Sequence, residues 1–88
     1  MNDQRTGVDK VTLVYGRADC VDTIRSMALL DRVGVAYVFT DVSVDPGAAR
    51  EAVRLSEGTA VPVIRLVSGV VLVEPSDEEL TAQLSVGK

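Results

Sequence analysis

The residue with the most chemistry in this chain is its single cysteine, Cys20, in the run Val11-Thr-Leu-Val-Tyr-Gly-Arg-Ala-Asp-Cys20-Val-Asp-Thr23. A β-branched run ends there in a polar turn, and the turn delivers the cysteine to the start of a helical pattern. A sulfur so placed faces the positive end of a helix, where a thiolate is favoured. One cysteine cannot form an internal disulfide, so any disulfide it makes is with another molecule. The chain has no histidine, which removes Cys/His zinc sites and histidine acid–base chemistry. Around the sulfur, Arg17 and Arg25 add positive charge, while Asp19 and Asp22 disfavour a second anion. The sequence leaves that contest open. Free cysteines are often inert core residues, but here the neighbours Ala18, Asp19 and Asp22 are small or polar, which argues for an accessible thiol. Aspartates also suit a helix N-terminus on structural grounds alone.

The bulk properties frame this chemistry. The chain has 88 residues, is 47% hydrophobic and carries a net charge of −4. That suffices for one small core without a metal or disulfide. The nine basic residues are scattered, with no basic stripe interleaved with aromatics, so nucleic-acid binding is not expected. The first ten residues are polar and lack the apolar stretch of a secretory signal. No apolar run approaches the roughly 20 residues of a membrane span. The expectation is a soluble, monomeric, cytoplasmic protein. In that reducing compartment a lone cysteine stays a thiol.

The elements that must position the sulfur follow in order. Residues 1–9 read as a flexible N-terminus and 10–88 as a single domain. Lys10 to Tyr15 reads as a strand whose near-continuous apolar run suits cover on both faces. Cys20 to Val33 reads as a helix, with Asp19 as N-cap, Gly34 as its stop, and Val21, Ile24, Met27, Ala28, Leu29, Leu30 and Val33 on its buried face. Val35 to Val42 is a second strand. Asp45-Pro46 pairs a cap with a proline at the first helical position. The helix it opens runs to about Ser56 and buries Ala49, Ala52, Val53 and Leu55. Val63 to Val67 and Val70 to Val73 form a hairpin about Ser68-Gly69. Ser76 and Glu79 form a capping box for a last helix that ends near Leu84 or Ser85. The order βαβαββα predicts an α/β fold: a four-stranded mixed sheet flanked by three helices, the first two strands parallel through a right-handed crossover.

This order, with a cysteine opening the first helix and a proline just before the third strand, resembles the thioredoxin superfamily. Its length and short N-terminus are similar to the glutaredoxin branch, and within that to the mycoredoxin-like group. The resemblance is carried by Tyr15 and Cys20 with four residues between them, by the run from Ala28 through Leu29, Leu30, Asp31, Arg32, Val33 and Gly34 to Tyr37, by Asp41-Val42 with Asp45-Pro46, by Gly58-Thr-Ala-Val-Pro62, and by Pro75-Ser76 with Glu79-Leu80. It spans roughly Val11 to Leu84. The pattern departs in two places. The family's usual Cys-x-x-Cys is here Cys20-Val-Asp-Thr23, and Asp19 stands where the mycoredoxin-like pattern has tryptophan.

The resemblance implies a thiol–disulfide oxidoreductase that acts on mixed disulfides between proteins and a low-molecular-weight thiol, mycothiol or glutathione, held as co-substrate and not as a tightly bound cofactor. Cys20 is the implied nucleophile. Thr23 cannot resolve a mixed disulfide, so the implied route uses one thiol. The Thr23 hydroxyl either donates to the Cys20 thiolate or bonds back to the helix backbone. Local rules favour an ordinary trans proline at a strand start. The resemblance instead implies a cis Val61–Pro62 bond, with the Val61 backbone free to pair with an extended small thiol as an added strand would. Arg17, Ser76 and Asp77 complete the implied small-thiol site, since a helix N-terminus binds a carboxylate. The family's double-glycine glutathione signature is absent, which favours mycothiol. Two other functions compete. One is a binding or regulatory module that kept the fold and lost the chemistry, to which Asp19, Asp22 and Thr23 all point. The other is an iron–sulfur carrier bridged between two chains, against which the bulk of Val21 argues.

Overall fold

A β-branched or aromatic run forms each strand of this chain, and a cap or a proline starts each later helix. The computed structural model describes residues 11–86. The flexible N-terminus expected at residues 1–9, and Lys10 at the expected start of the first strand, lie outside the described residues. The elements are β1 (Thr12–Gly16), α1 (Val21–Arg32), β2 (Tyr37–Asp41), α2 (Pro46–Ser56), β3 (Val63–Arg65), β4 (Val71–Val73) and α3 (Asp77–Val86). The sheet order is β2-β1-β3-β4. β1 pairs in parallel with β2, Leu13 against Val38, and antiparallel with β3, Tyr15 against Val63. β3 and β4 form the antiparallel hairpin, Ile64 against Leu72. This is the expected mixed sheet with three helices, a thioredoxin-like fold.

β1 is central, which explains its apolar character on both sides. Thr12, Val14 and Gly16 are buried on one face. Val14 joins Leu29 and Leu30 of α1, Ile64 and Leu66 of the hairpin, and Leu80 of α3 in the main core. α2 lies against the strands and contributes buried Ala48 and Ala52. The C-terminal ends of β1, β2 and β4 and the N-terminal end of β3 share one end of the sheet, because β3 alone runs opposite to the other three. The α1 and α3 N-termini follow β1 and β4 directly and therefore open at that same end.

Three local expectations are corrected. The buried positions of α1 are Thr23, Ser26, Leu29 and Leu30, with Met27 packed against the core. Val21, Ile24 and Val33 are exposed, and so is Ala28. Periodicity takes apolar side chains as the inner face, but here the first turn of α1 lies so close to β1 that only small polar Thr23 fits. In α2, Ala48 is buried and Val53 exposed, because the helix approaches the strands through its alanines. The N-cap of α1 is Cys20 and not Asp19, because the backbone is still extended at Cys20 and turns helical at Val21; the Asp19 carboxylate pairs with Arg17 at 3.4 Å.

The remaining caps follow the sequence. The Asp45 side chain accepts from the Ala48 N–H at 3.0 Å, with Pro46 opening the helix. Ser76 and Glu79 form the reciprocal pair of a capping box, at 2.8 and 3.1 Å. Gly34, at φ 79°, and Gly69, at φ 98°, supply the left-handed turns that end α1 and close the hairpin, a conformation that favours glycine.

Candidate functional site

The cysteine sits where a short, firmly held loop enters a helix. After Gly16 the chain turns through Arg17, Ala18 and Asp19, and the Cys20 N–H donates to the Arg17 carbonyl at 3.1 Å. The Cys20 carbonyl accepts the first bond of α1 from the Ile24 N–H at 3.0 Å. Asp41, at the end of β2, ties the loop to the sheet by accepting from the Ala18 N–H at 3.2 Å. Its other oxygen accepts from the Ser43 N–H at 2.9 Å and the Ser43 hydroxyl at 2.5 Å. These donors, the Ser43 hydroxyl foremost, hold the Asp41 carboxyl below its ordinary range. The loop therefore has a fixed shape, and the thiol it presents is half-exposed.

The Cys20 thiol is pushed below its ordinary pKa. The Thr23 amide is the largest cause and the Thr23 hydroxyl the next; burial opposes them, the Asp22 amide helps, and the Asp22 carboxylate opposes. These are the free donors of a helix N-terminus, which favour the charged form. Neither arginine expected to assist the thiolate is among the causes. Arg17 is exposed and paired with Asp19. Arg25 donates to Asp77 at 2.8 Å, to Asp22 at 3.2 Å and to the Pro75 carbonyl at 3.4 Å. It clasps the start of α1 to the start of α3, and its charge is matched there by two carboxylates.

Thr23 is fully buried, and its hydroxyl has no hydrogen-bond partner among the described residues. The bond back to the helix backbone is thus not made, and the hydroxyl lies beside Cys20, where it favours the anion. Its position depends on Gly16: a Cβ there would fall 2.7 Å from Thr23 Cγ2 and closer still to Oγ1. A glycine at a strand end can mark such a close approach. Sequence reasoning assigned Gly16 no role.

The Val61–Pro62 bond is cis. Pro62 is buried, and its carbonyl accepts from the Glu74 N–H at 2.8 Å. Val61 is half-buried, and among the described residues neither its N–H nor its carbonyl has a backbone partner. A narrow apolar cleft of about 150 Å³ borders it, between Val42, Ala49, Val53 and the Gly58–Ala60 loop. Ser76 and Asp77 lie at the α3 N-terminus, where Ser76 is engaged with Glu79 and Asp77 with Arg25. Cys20, Thr23, Val61, Pro62, Ser76 and Asp77 thus all gather at one end of the sheet, with Arg17 exposed on the cysteine loop. Asp41 and the Arg25 clasp were missed as site residues. Asp41 with Ser43 two residues on is a recognisable side-chain turn signal; the clasp joins positions 52 apart, and no local pattern announces it. Among the described residues no group of three or more metal-ligating side chains is assembled, and no helix is long and apolar enough to cross a membrane.

Comparison with known proteins agrees with this geometry. A family model described as Glutaredoxin matches residues 12–71. A glutaredoxin from Archaeoglobus fulgidus superposes with a TM-score of 0.78 at 19% identity, covering 96% of this chain and 95% of that one. The solution structure of a glutaredoxin from Brucella melitensis gives 0.63 at 27% identity, over 89% and 82% of the two chains. A buckwheat glutaredoxin–glutathione complex gives 0.67 at 13% identity, over 98% and 80%. No curated protein sequence matches significantly.

Proposed function

The chain belongs to the glutaredoxin family, whose membership and fold support a thiol–disulfide oxidoreductase function, and from that premise we propose that it reduces mixed disulfides between proteins and a low-molecular-weight thiol through Cys20 alone. The observation that carries this reading is the half-exposed thiol at the α1 N-terminus, its pKa lowered by the Thr23 amide and hydroxyl. The thiolate is the attacking group in such exchange.

In the first step the Cys20 thiolate attacks the small-thiol sulfur of the mixed disulfide. A bond forms between them, and the protein cysteine leaves as a thiolate. A second small thiol, as its thiolate, then attacks that sulfur; the small-thiol disulfide departs and the Cys20 thiolate returns. The Thr23 hydroxyl donates to Cys20 whenever it bears charge, as nucleophile and as leaving group. The unpaired Val61 backbone next to Pro62 aligns the extended small thiol, with Arg17 at the loop and Ser76 and Asp77 at the α3 N-terminus.

The state of that N-terminus favours mycothiol over glutathione, as in a mycoredoxin-like protein. Ser76 is occupied by the capping box, and Asp77 and Glu78 add carboxylates to the first turn of α3. A carboxylate-bearing thiol meets like charge there, whereas the hydroxyls of an uncharged glycosidic thiol donate to Asp77. The reading includes a monomer at work in the cytoplasm.

Intact-mass measurement tests it, after separate incubation with oxidised mycothiol and oxidised glutathione. The expected result is one small-thiol adduct on the wild type, more with mycothiol, and none on Cys20→Ser. An unmodified wild type with both disulfides overturns the enzymatic reading and leaves a binding module.

A further inference from the structure

The site end of this molecule carries an uneven charge. Asp19 and Asp22 flank Cys20, Asp41 lies behind its loop, Glu74 follows β4 with its backbone N–H on the Pro62 carbonyl, and Asp77 and Glu78 open α3. Against these six carboxylates stand Arg17 and Arg25, each paired with one or more of them. The rim around an exchange site built for a thiolate is therefore net acidic.

Inside this rim lies an unpartnered apolar strip. Val21, beside Cys20, is 76% exposed, and Ile24, one turn further along the same helix, is 49% exposed. Both occupy helix positions that a periodic reading assigns to the core. An apolar strip with a single-sign rim fits one kind of occupant, a chain with an apolar contact residue and charges of the opposite sign.

We propose that this face docks a polypeptide whose disulfide-bearing cysteine is flanked by lysine or arginine, with an apolar side chain resting on Val21 and Ile24. The proposal rests on the exchange reading above and names its protein substrate class. The basic flanks meet Asp19 and Asp22 beside Cys20 and Glu74 next to Pro62, which steers the approach and brings the mixed disulfide to the thiolate. The exchange itself is the step already written, the peptide cysteine leaving as a thiolate.

The test uses two matched peptides, each carrying the small thiol that forms the adduct above, one with lysines and one with glutamates beside the cysteine. The uncharged 2-hydroxyethyl disulfide serves as control. Wild type is expected to react with the lysine peptide about tenfold faster in dilute buffer, in the range of electrostatic steering. The advantage is expected to shrink towards unity in about 1 M salt, where the screening length falls to roughly 3 Å. The double variant Asp19→Lys/Glu74→Lys reverses the order of the two peptides when each rate is taken relative to that variant's own rate on the uncharged control. Val21→Ser slows both peptides and not the control. Equal rates for the two peptides, or a preference that survives the charge reversal, overturn the proposal. Failure of wild type on the uncharged disulfide is a failure of the exchange reading instead. Cysteine-to-serine versions of the two peptides, titrated by NMR, still read the docking: equal affinity overturns it, and tighter binding of the lysine peptide at the start of α1 upholds it.

Discussion

Thr23, three residues after Cys20, is buried against Gly16, and its hydroxyl is among the causes that lower the thiol's pKa. Hydrogen bonds to charged groups are stronger than neutral ones, so the hydroxyl matters most once the thiol is ionised. Thr23→Val keeps the shape and removes the donor. Its expected effect is a rise in the pH midpoint of Cys20 alkylation, with slower alkylation at pH 7, whereas Thr23→Ser stays close to wild type. The sign of the linkage follows. A thiol pKa lowered by folding favours the folded state as the thiol ionises, so wild type gains stability over Cys20→Ser as pH rises from the depressed pKa towards the ordinary value of 9.0. Thermal melts at stepped pH read this directly. Gly16→Ala drives a methyl into Thr23. Overpacking of this kind costs about 1–3 kcal/mol, and the displaced hydroxyl also raises the alkylation midpoint. Glycine at 16 and threonine at 23 are two halves of one contact, which a sequence read position by position leaves separate.

At the scale of elements, the order, the caps of the two later helices and the hairpin turn were legible because each rests on neighbours in sequence: Asp45 with Pro46, Ser76 with Glu79, Ser68 with Gly69. The inner face of α1 was not. Its first two turns are buried through Thr23 and Ser26 and exposed through Val21 and Ile24, a reversal imposed by the strand beneath. Arg25 was legible as a charge near the sulfur and illegible as a bridge, because its partners Asp77 and Pro75 arrive from the far end of the chain. By engaging Asp22, Arg25 answers the carboxylate that pushes the thiol up. Arg25→Met is therefore expected to raise the Cys20 alkylation midpoint without touching the sulfur. Its cost in stability is expected to be about 1 kcal/mol or less, since the pair is part-exposed, and denaturant titration reads it.

For the molecule as a whole, stability depends on one apolar cluster shared by β1, β3, α1 and α3. Leu30 and Ile64 are fully excluded from solvent within it. Leu30→Ala is expected to cost about 2–5 kcal/mol, against a total of roughly 5–15 kcal/mol for a typical domain. Circular-dichroism melting should show a large fall in Tm, with Cys20 losing its depressed pKa only as the chain unfolds. The apolar membership of this cluster was readable from composition and strand pattern. The gathering of carboxylates at one end was not, because it arises when parallel and antiparallel pairing bring turns from distant stretches to a common edge.

The Arg25 clasp also makes the sulfur a listener. α3 is the last of the described elements, and its first turn is tethered to the cysteine-bearing helix by the Arg25 guanidinium. A ligand that draws Asp77 away, or fraying that lifts the final helix, leaves the guanidinium to Asp22 alone, which balances that carboxylate more fully and favours the thiolate. Events at the tail of the polypeptide are in this way transcribed into the nucleophilicity of an atom near its head.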